Sequence, residues 1–207
     1  MIIILRSALA ETKGGCLRLE SEHGRWRLCV AERKASLELE LSEAELPIDL
    51  HVPIHPNAAL GVLFDVARSL ADDGWAQGRL KVAVVGPPGS GKSTLVRRLL
   101  GLPPPAGPTT KPEAHRAVVL GREAEVVDMP GGASAEADCA VVVVPLDVYE
   151  EPPAARGRAV LVGSRADLGS EELLEIYAQA VRPAAALALD LRTAPRWRLA
   201  SALASCF

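Results

Sequence analysis

The residues Gly86, Pro87, Pro88, Gly89, Ser90, Gly91, Lys92 and Ser93 spell G-x-x-x-x-G-K-S, and Thr94 extends the run. Each type has a chemical reason to stand there. Glycine lets consecutive backbone N–H groups turn inward onto phosphate oxygens, and the N-terminus of a following helix adds the positive end of its dipole. The Lys92 ammonium is then in reach of the β and γ phosphates of a nucleotide, and the Ser93 hydroxyl is of the kind that ligates Mg²⁺. The loop follows the β-branched run "KVAVV" and leads into an apolar, Arg-bearing run ending near Leu100. Strand, loop and helix in that order are the context in which the pattern carries meaning.

A second set lies downstream. In "EVVDMPGG" Asp128 ends an apolar run and Gly131 follows, giving D-x-x-G. A carboxylate at the end of a strand beside the phosphate loop can hold a metal ion through water, and the Gly131 amide can approach a terminal phosphate. Between Lys92 and Asp128 stand a Pro-rich loop, the hydroxyls of Thr109 and Thr110, and the runs "HRAVVL" and "AEVVD", joined as a hairpin by a Gly-Arg turn.

This order resembles the P-loop GTPases of the Ras-like and translation-factor superfamily, most of all the Era-like small G domains of bacterial ribosome-associated proteins. The resemblance covers about residues 80–207. It implies that Thr110, or failing it Thr109, binds Mg²⁺ and the γ-phosphate, that Ser93 and Asp128 complete the metal set, and that Lys92 and Thr110 make the catalytic contacts. "SRAD" resembles the family's [NT]-K-x-D, so Asp167 is expected to read the guanine edge and Arg165 to cover the ring, although Ser164 and Arg165 depart from the pattern. A carboxylate rejects adenine there, and Arg stacks on a purine as Lys does. The family's last base-contacting motif would fall near Asp190, Leu191, Arg192 and Thr193, which do not match it. The implied ligands are GTP and GDP with Mg²⁺, ATP fitting less well. The implied partners are a ribosome, RNA or a protein effector, with no membrane and no stated oligomeric state.

The residue after D-x-x-G supplies a water-orienting side chain in many such enzymes, and here it is Gly132. Slow intrinsic turnover is the consequence, unless a partner completes the site. Two rivals remain open on the sequence: a P-loop kinase related to polynucleotide 5′-hydroxyl kinases, using ATP or GTP, and a nucleotide-binding scaffold that hydrolyses nothing. The C-terminal Arg182, Arg192, Arg196 and Arg198 around Trp197 could contact RNA or could form the solvated face of a terminal helix.

The elements that must position these residues show in two periods. Over residues 1–57 apolar residues alternate, as in a small antiparallel β domain. Turns at His23-Gly24 and Arg33-Lys34 would pair Leu19 with Leu28, Leu28 with Leu39, and line up Glu20, Arg27 and Glu40 on the solvent face. So short a unit has little core and is expected to pack against the C-terminal part of the chain. Residues 58–79 carry a helical stripe, read as a linker helix. Residues 80–207 alternate continuous apolar strands with helices, which predicts an α/β nucleotide-binding domain with a mainly parallel sheet covered on both faces.

The chain of 207 residues has a formal charge of −3, which gives no global attraction to nucleic acid or anionic lipid. No apolar run approaches the ~20 residues that span a bilayer. Cys16, Cys29, Cys139 and Cys206 are far apart and read as reduced thiols of a cytoplasmic protein. The only Asn is Asn57 and the only Gln residues are Gln77 and Gln179, a depletion expected of a thermophile, which a GC-rich genome would also produce in part.

Overall fold

A computed structural model describes residues 2–4, 8–13, 16–21, 24–31, 34–41, 50–52, 80–119, 122–134, 136–155 and 157–206. The linker helix expected over 58–79, and the boundary at 57, lie outside the described residues.

The nucleotide-binding part begins with β7 (Leu80–Val85), the phosphate loop and α1 (Lys92–Leu99). Strands β8 (Glu113–Val119) and β9 (Arg122–Asp128) follow as an antiparallel pair. Then come β10 (Cys139–Pro145), β11 (Arg158–Ser164), α2 (Glu171–Val181), β12 (Ala185–Leu189) and α3 (Arg196–Ala204). Strands β12, β11, β10, β7 and β9 lie side by side in that order, all parallel.

Alternation along each strand sends neighbouring side chains to opposite faces, and the two faces are separate cores. Val82, Val84, Val141, Val143, Val160 and Val162 pack with Leu95, Val96 and Leu99 of α1 and with Leu199 and Leu203 of α3. On the other face Ala83, Val85, Val142, Val144 and Leu161 pack with Tyr177 of α2. Strands covered on both sides must be apolar throughout, and every residue of β10 is buried. The result is an α/β sheet with helices on both faces.

Helix α2 starts at Ser170, whose hydroxyl accepts from the Leu173 N–H at 3.2 Å, satisfying one of the unpaired donors of its first turn. The N-cap of α3 is Pro195, which has no side-chain cap. The Arg196 N–H donates instead to the Glu20 carboxylate at 3.2 Å.

That acid belongs to the N-terminal strands: β1 (Ile2–Ile4), β2 (Ala8–Lys13), β3 (Cys16–Ser21), β4 (Gly24–Ala31), β5 (Lys34–Leu41) and β6 (Leu50–Val52). They pair antiparallel in chain order. Strand β1 also pairs, parallel, with β8, so all twelve described strands form one sheet. Ile4 and Leu9 share the core under α1 and α3.

The register differs from expectation. Ser21 pairs with Gly24 and Ala31 with Lys34, so each hairpin closes one residue earlier than the expected turns. Leu28 therefore lies opposite Leu17 and Leu37 rather than Leu19 and Leu39, and Glu20, Arg25 and Glu40 form the row in place of Glu20, Arg27 and Glu40. A two-residue slip keeps every residue on its face, which is why the pattern alone allowed both.

The reading of all four cysteines as reduced thiols is also corrected. Cys139 and Cys206 are joined in a disulfide, their Cα atoms 5.7 Å apart. Helix α3 folds back over the sheet and carries the penultimate residue of the chain to the start of β10. No helix among the described residues is long and apolar enough to cross a membrane.

Candidate functional site

The phosphate loop leaves β7 at the carboxyl end of the parallel strands, where the sheet opens a crevice. Gly91 has φ 98°, and a Cβ there would lie 2.8 Å from Leu191 Cδ1, so this turn into α1 admits only glycine. The Lys92 ammonium bends back and donates to the Pro87 carbonyl at 2.7 Å. It is 6 % exposed. Burial pulls its pKa below the ordinary value, against the opposing pull of Asp128 and Glu150. Ser90 is buried beside it, its hydroxyl without a protein partner.

Three oxygens from three segments meet next to this lysine. The Thr109 hydroxyl donates to Asp128 Oδ2 at 3.1 Å and lies 2.7 Å from Ser93 Oγ. Thr109 has one hydroxyl proton and spends it on Asp128, so Ser93 donates to Thr109. Asp128 is 1 % exposed, and its Oδ1 has no hydrogen-bond partner. A buried carboxylate oxygen left unmatched is costly. Two hydroxyls and a carboxylate are hard oxygen donors, which suit Mg²⁺, and the orphaned Oδ1 marks where positive charge is wanted. The residues present therefore fit the ion.

Of the two adjacent threonines, the structure brings Thr109 to Ser93 and Asp128. Thr110, expected as the metal and catalytic threonine, is exposed. Gly131 stands where D-x-x-G placed it, at the lip of the loop: a Cβ on it would meet Pro88 Cγ at 2.7 Å. The Gly132 N–H donates to the Gly86 carbonyl at 3.0 Å. Pro88, Gly89, Gly91, Lys92, Ser93, Thr94, Thr109 and Gly131 all border one cavity of about 540 Å³.

A second cavity of about 350 Å³ lies across Gly89, Gly91 and Thr94, which border both. Ser164, Arg165 and the Asp190, Leu191, Arg192 loop line it. Arg165 donates to the Gly89 carbonyl at 2.9 Å and to both oxygens of Asp147 at 3.0 and 2.7 Å, holding the Asp147 carboxyl below its usual range. Ser164 is buried and donates to the Val144 carbonyl at 3.2 Å. Asp167 accepts from Arg192 at 2.8 Å; it reaches this cavity through that arginine rather than lining it itself.

Asp147 and the 190–192 loop are the participants that sequence reasoning missed. Asp147 is the first carboxylate beyond β10, beside the phosphate-loop strand, and that position was its available signal. The loop was found by position and set aside by identity.

Residues 81–168 match the family model described as 50S ribosome-binding GTPase. This segment is a P-loop GTPase domain. No curated protein matches the chain. The matched stretch holds every phosphate-loop residue, Thr109, Asp128, Gly131, Arg165 and Asp167. The Asp190 loop, which lines the second cavity, lies beyond the match. At this level the protein carries a GTP-binding GTPase fold. The terminal arginines serve different ends: Arg196 is half-buried and paired with Glu11 at 2.9 Å, whereas Arg198 is exposed.

Proposed function

We propose that the protein is a Mg²⁺-dependent guanine-nucleotide switch of the cytoplasm whose own GTP hydrolysis is slow and is completed by a partner. One observation carries the reading: Ser93, Thr109 and Asp128 are joined oxygen to oxygen across the phosphate loop, the loop after α1 and the end of β9. These are the segments that a γ-phosphate draws together and that its loss releases. Ser93, Thr109 and Asp128 would hold the Mg²⁺, which neutralises charge on the β and γ phosphates. Lys92 adds its ammonium to the same oxygens, and the Gly131 N–H faces the terminal phosphate. The 540 Å³ cavity is then the phosphate side and the 350 Å³ cavity the base side, where Asp167 would exchange its Arg192 partner for the guanine edge and Arg165, held by Asp147, would lie over the ring. Position 132 has no side chain to orient a water, which supports slow intrinsic turnover. The family's description supports the 50S subunit as the first partner to try.

The test is equilibrium binding of labelled GTP and ATP analogues with and without Mg²⁺, followed by phosphate release with and without 50S subunits. The reading expects GTP preferred, Mg²⁺ required, slow release alone and faster release with the partner. It also expects Asp167→Asn to shift preference from guanine to xanthine nucleotides. ATP bound as well as GTP would sink it. The bare backbone at Gly132 favours a second reading, a nucleotide-bound scaffold, and release that stays at background with every partner would decide for that.

A further inference from the structure

One face of α1 is shaped to carry the base-side loop. Gly91, Thr94 and Arg98 recur at the three- and four-residue spacing that places them along one stripe of the helix. Gly91 lies under Leu191, with no room for a Cβ between them. Thr94 lines the base-side cavity. Arg98, half-buried, donates through Nη1 to the Leu191 carbonyl and through Nη2 to the Ala194 carbonyl, the latter at 2.9 Å. A planar guanidinium presents its donors as a rigid fork, and here the fork holds the Asp190–Ala194 turn at Leu191 and at Ala194.

The turn is braced within itself as well. Asp190 accepts from the Arg192 N–H at 2.9 Å and from the Thr193 hydroxyl, and the Ala194 N–H returns to the Asp190 carbonyl at 2.8 Å. These bonds fix the shape of the turn but not its place. Its place comes from Leu191 packed on Gly91, from the Arg192–Asp167 ion pair and, as the one hydrogen-bonded tie to α1 among the described residues, from Arg98.

We propose that Arg98 is a positioning residue for nucleotide binding: from the phosphate-loop helix it docks the Asp190–Ala194 turn over the base-side cavity, and so sets affinity for the nucleoside half of the ligand without acting on the phosphate half. The inference rests on the reading of this cavity as the base side. It assigns work to a residue that touches neither nucleotide nor metal.

The experiment compares wild type, Arg98→Met, which keeps the stem and loses the fork, and Arg98→Lys, which keeps one donor point. Calorimetry gives the affinity of each for Mg²⁺-GDP and for Mg²⁺-tripolyphosphate, which has no base or sugar. Losing a charged double hydrogen bond to the turn is expected to weaken GDP about ten-fold in Arg98→Met and less in Arg98→Lys. Tripolyphosphate binding is expected to stay within about two-fold. Hydrogen exchange should quicken at the 191–194 amides and not in β10. Equal weakening of both ligands, or no weakening of GDP in either variant, overturns the proposal. If Arg98→Met does not fold, the lysine variant decides it on the same ratio. Wild type binding ADP as well as GDP would remove the guanine reading, while the GDP to tripolyphosphate contrast would still judge Arg98.

Discussion

Thr109 and Thr110 are one residue apart in the chain, and only the first has its hydroxyl between Ser93 and a buried carboxylate. Thr109→Ala should therefore weaken Mg²⁺-GTP binding about ten-fold, the scale of a hydrogen bond to a charged group, while Thr110→Ala stays near wild type. Titration of a fluorescent GTP analogue at fixed Mg²⁺ checks both. Lys92 gives a pH prediction. Its folded-state pKa lies below 10.5 because it is buried, so without ligand the unfolded chain holds the extra proton and stability rises as pH climbs through that window. Bound phosphate restores the charge, so nucleotide binding at alkaline pH should take up a proton, detectable as a buffer-dependent heat. Lys92, Ser93 and Asp128 were legible because motif spacing is rigid: a helix start and a strand end fix them. The choice between the two threonines was not, since a loop of that length can present either hydroxyl.

At the scale of elements, the faces of strands and helices could be read from the chain and the pairing could not. Leu28 was expected opposite Leu39 and lies opposite Leu37. Alternation fixes which side of a sheet a residue takes, whereas the exact partner depends on where the turn closes. Nor could local pattern show that α3 takes its cap from outside itself. Arg196 joins Glu11 to the Leu99 carbonyl at the end of α1, at 2.9 and 3.0 Å, and its N–H meets Glu20. Arg196→Met should cost about 1–3 kcal/mol, since it strands half-buried acceptors, and a urea melt measures it. Glu20→Gln keeps an acceptor and should cost less, about 0.3–1 kcal/mol, by removing the charge at a helix N-terminus.

For the molecule as a whole, the N-terminal strands and the GTPase domain share one core and one sheet, a union that no periodicity announces because it depends on β1 finding β8. The disulfide was missed for a similar reason: Cys139 and Cys206 are 67 residues apart in sequence, and only the return of α3 unites them. Closing a loop of that length stabilises by about 2–4 kcal/mol. Cys206→Ser should lower the urea midpoint accordingly, and reductant should lower that of the wild type at least as far.

Strand β1 pairs with the Val118–Val119 end of β8, the strand that comes directly after the Thr109 loop. A foreign peptide seeking to zip onto the domain by backbone hydrogen bonds finds the Val118–Val119 end of that edge already taken by β1. A partner docking at that end of β8 must do so through side chains, or through the N-terminal strands themselves.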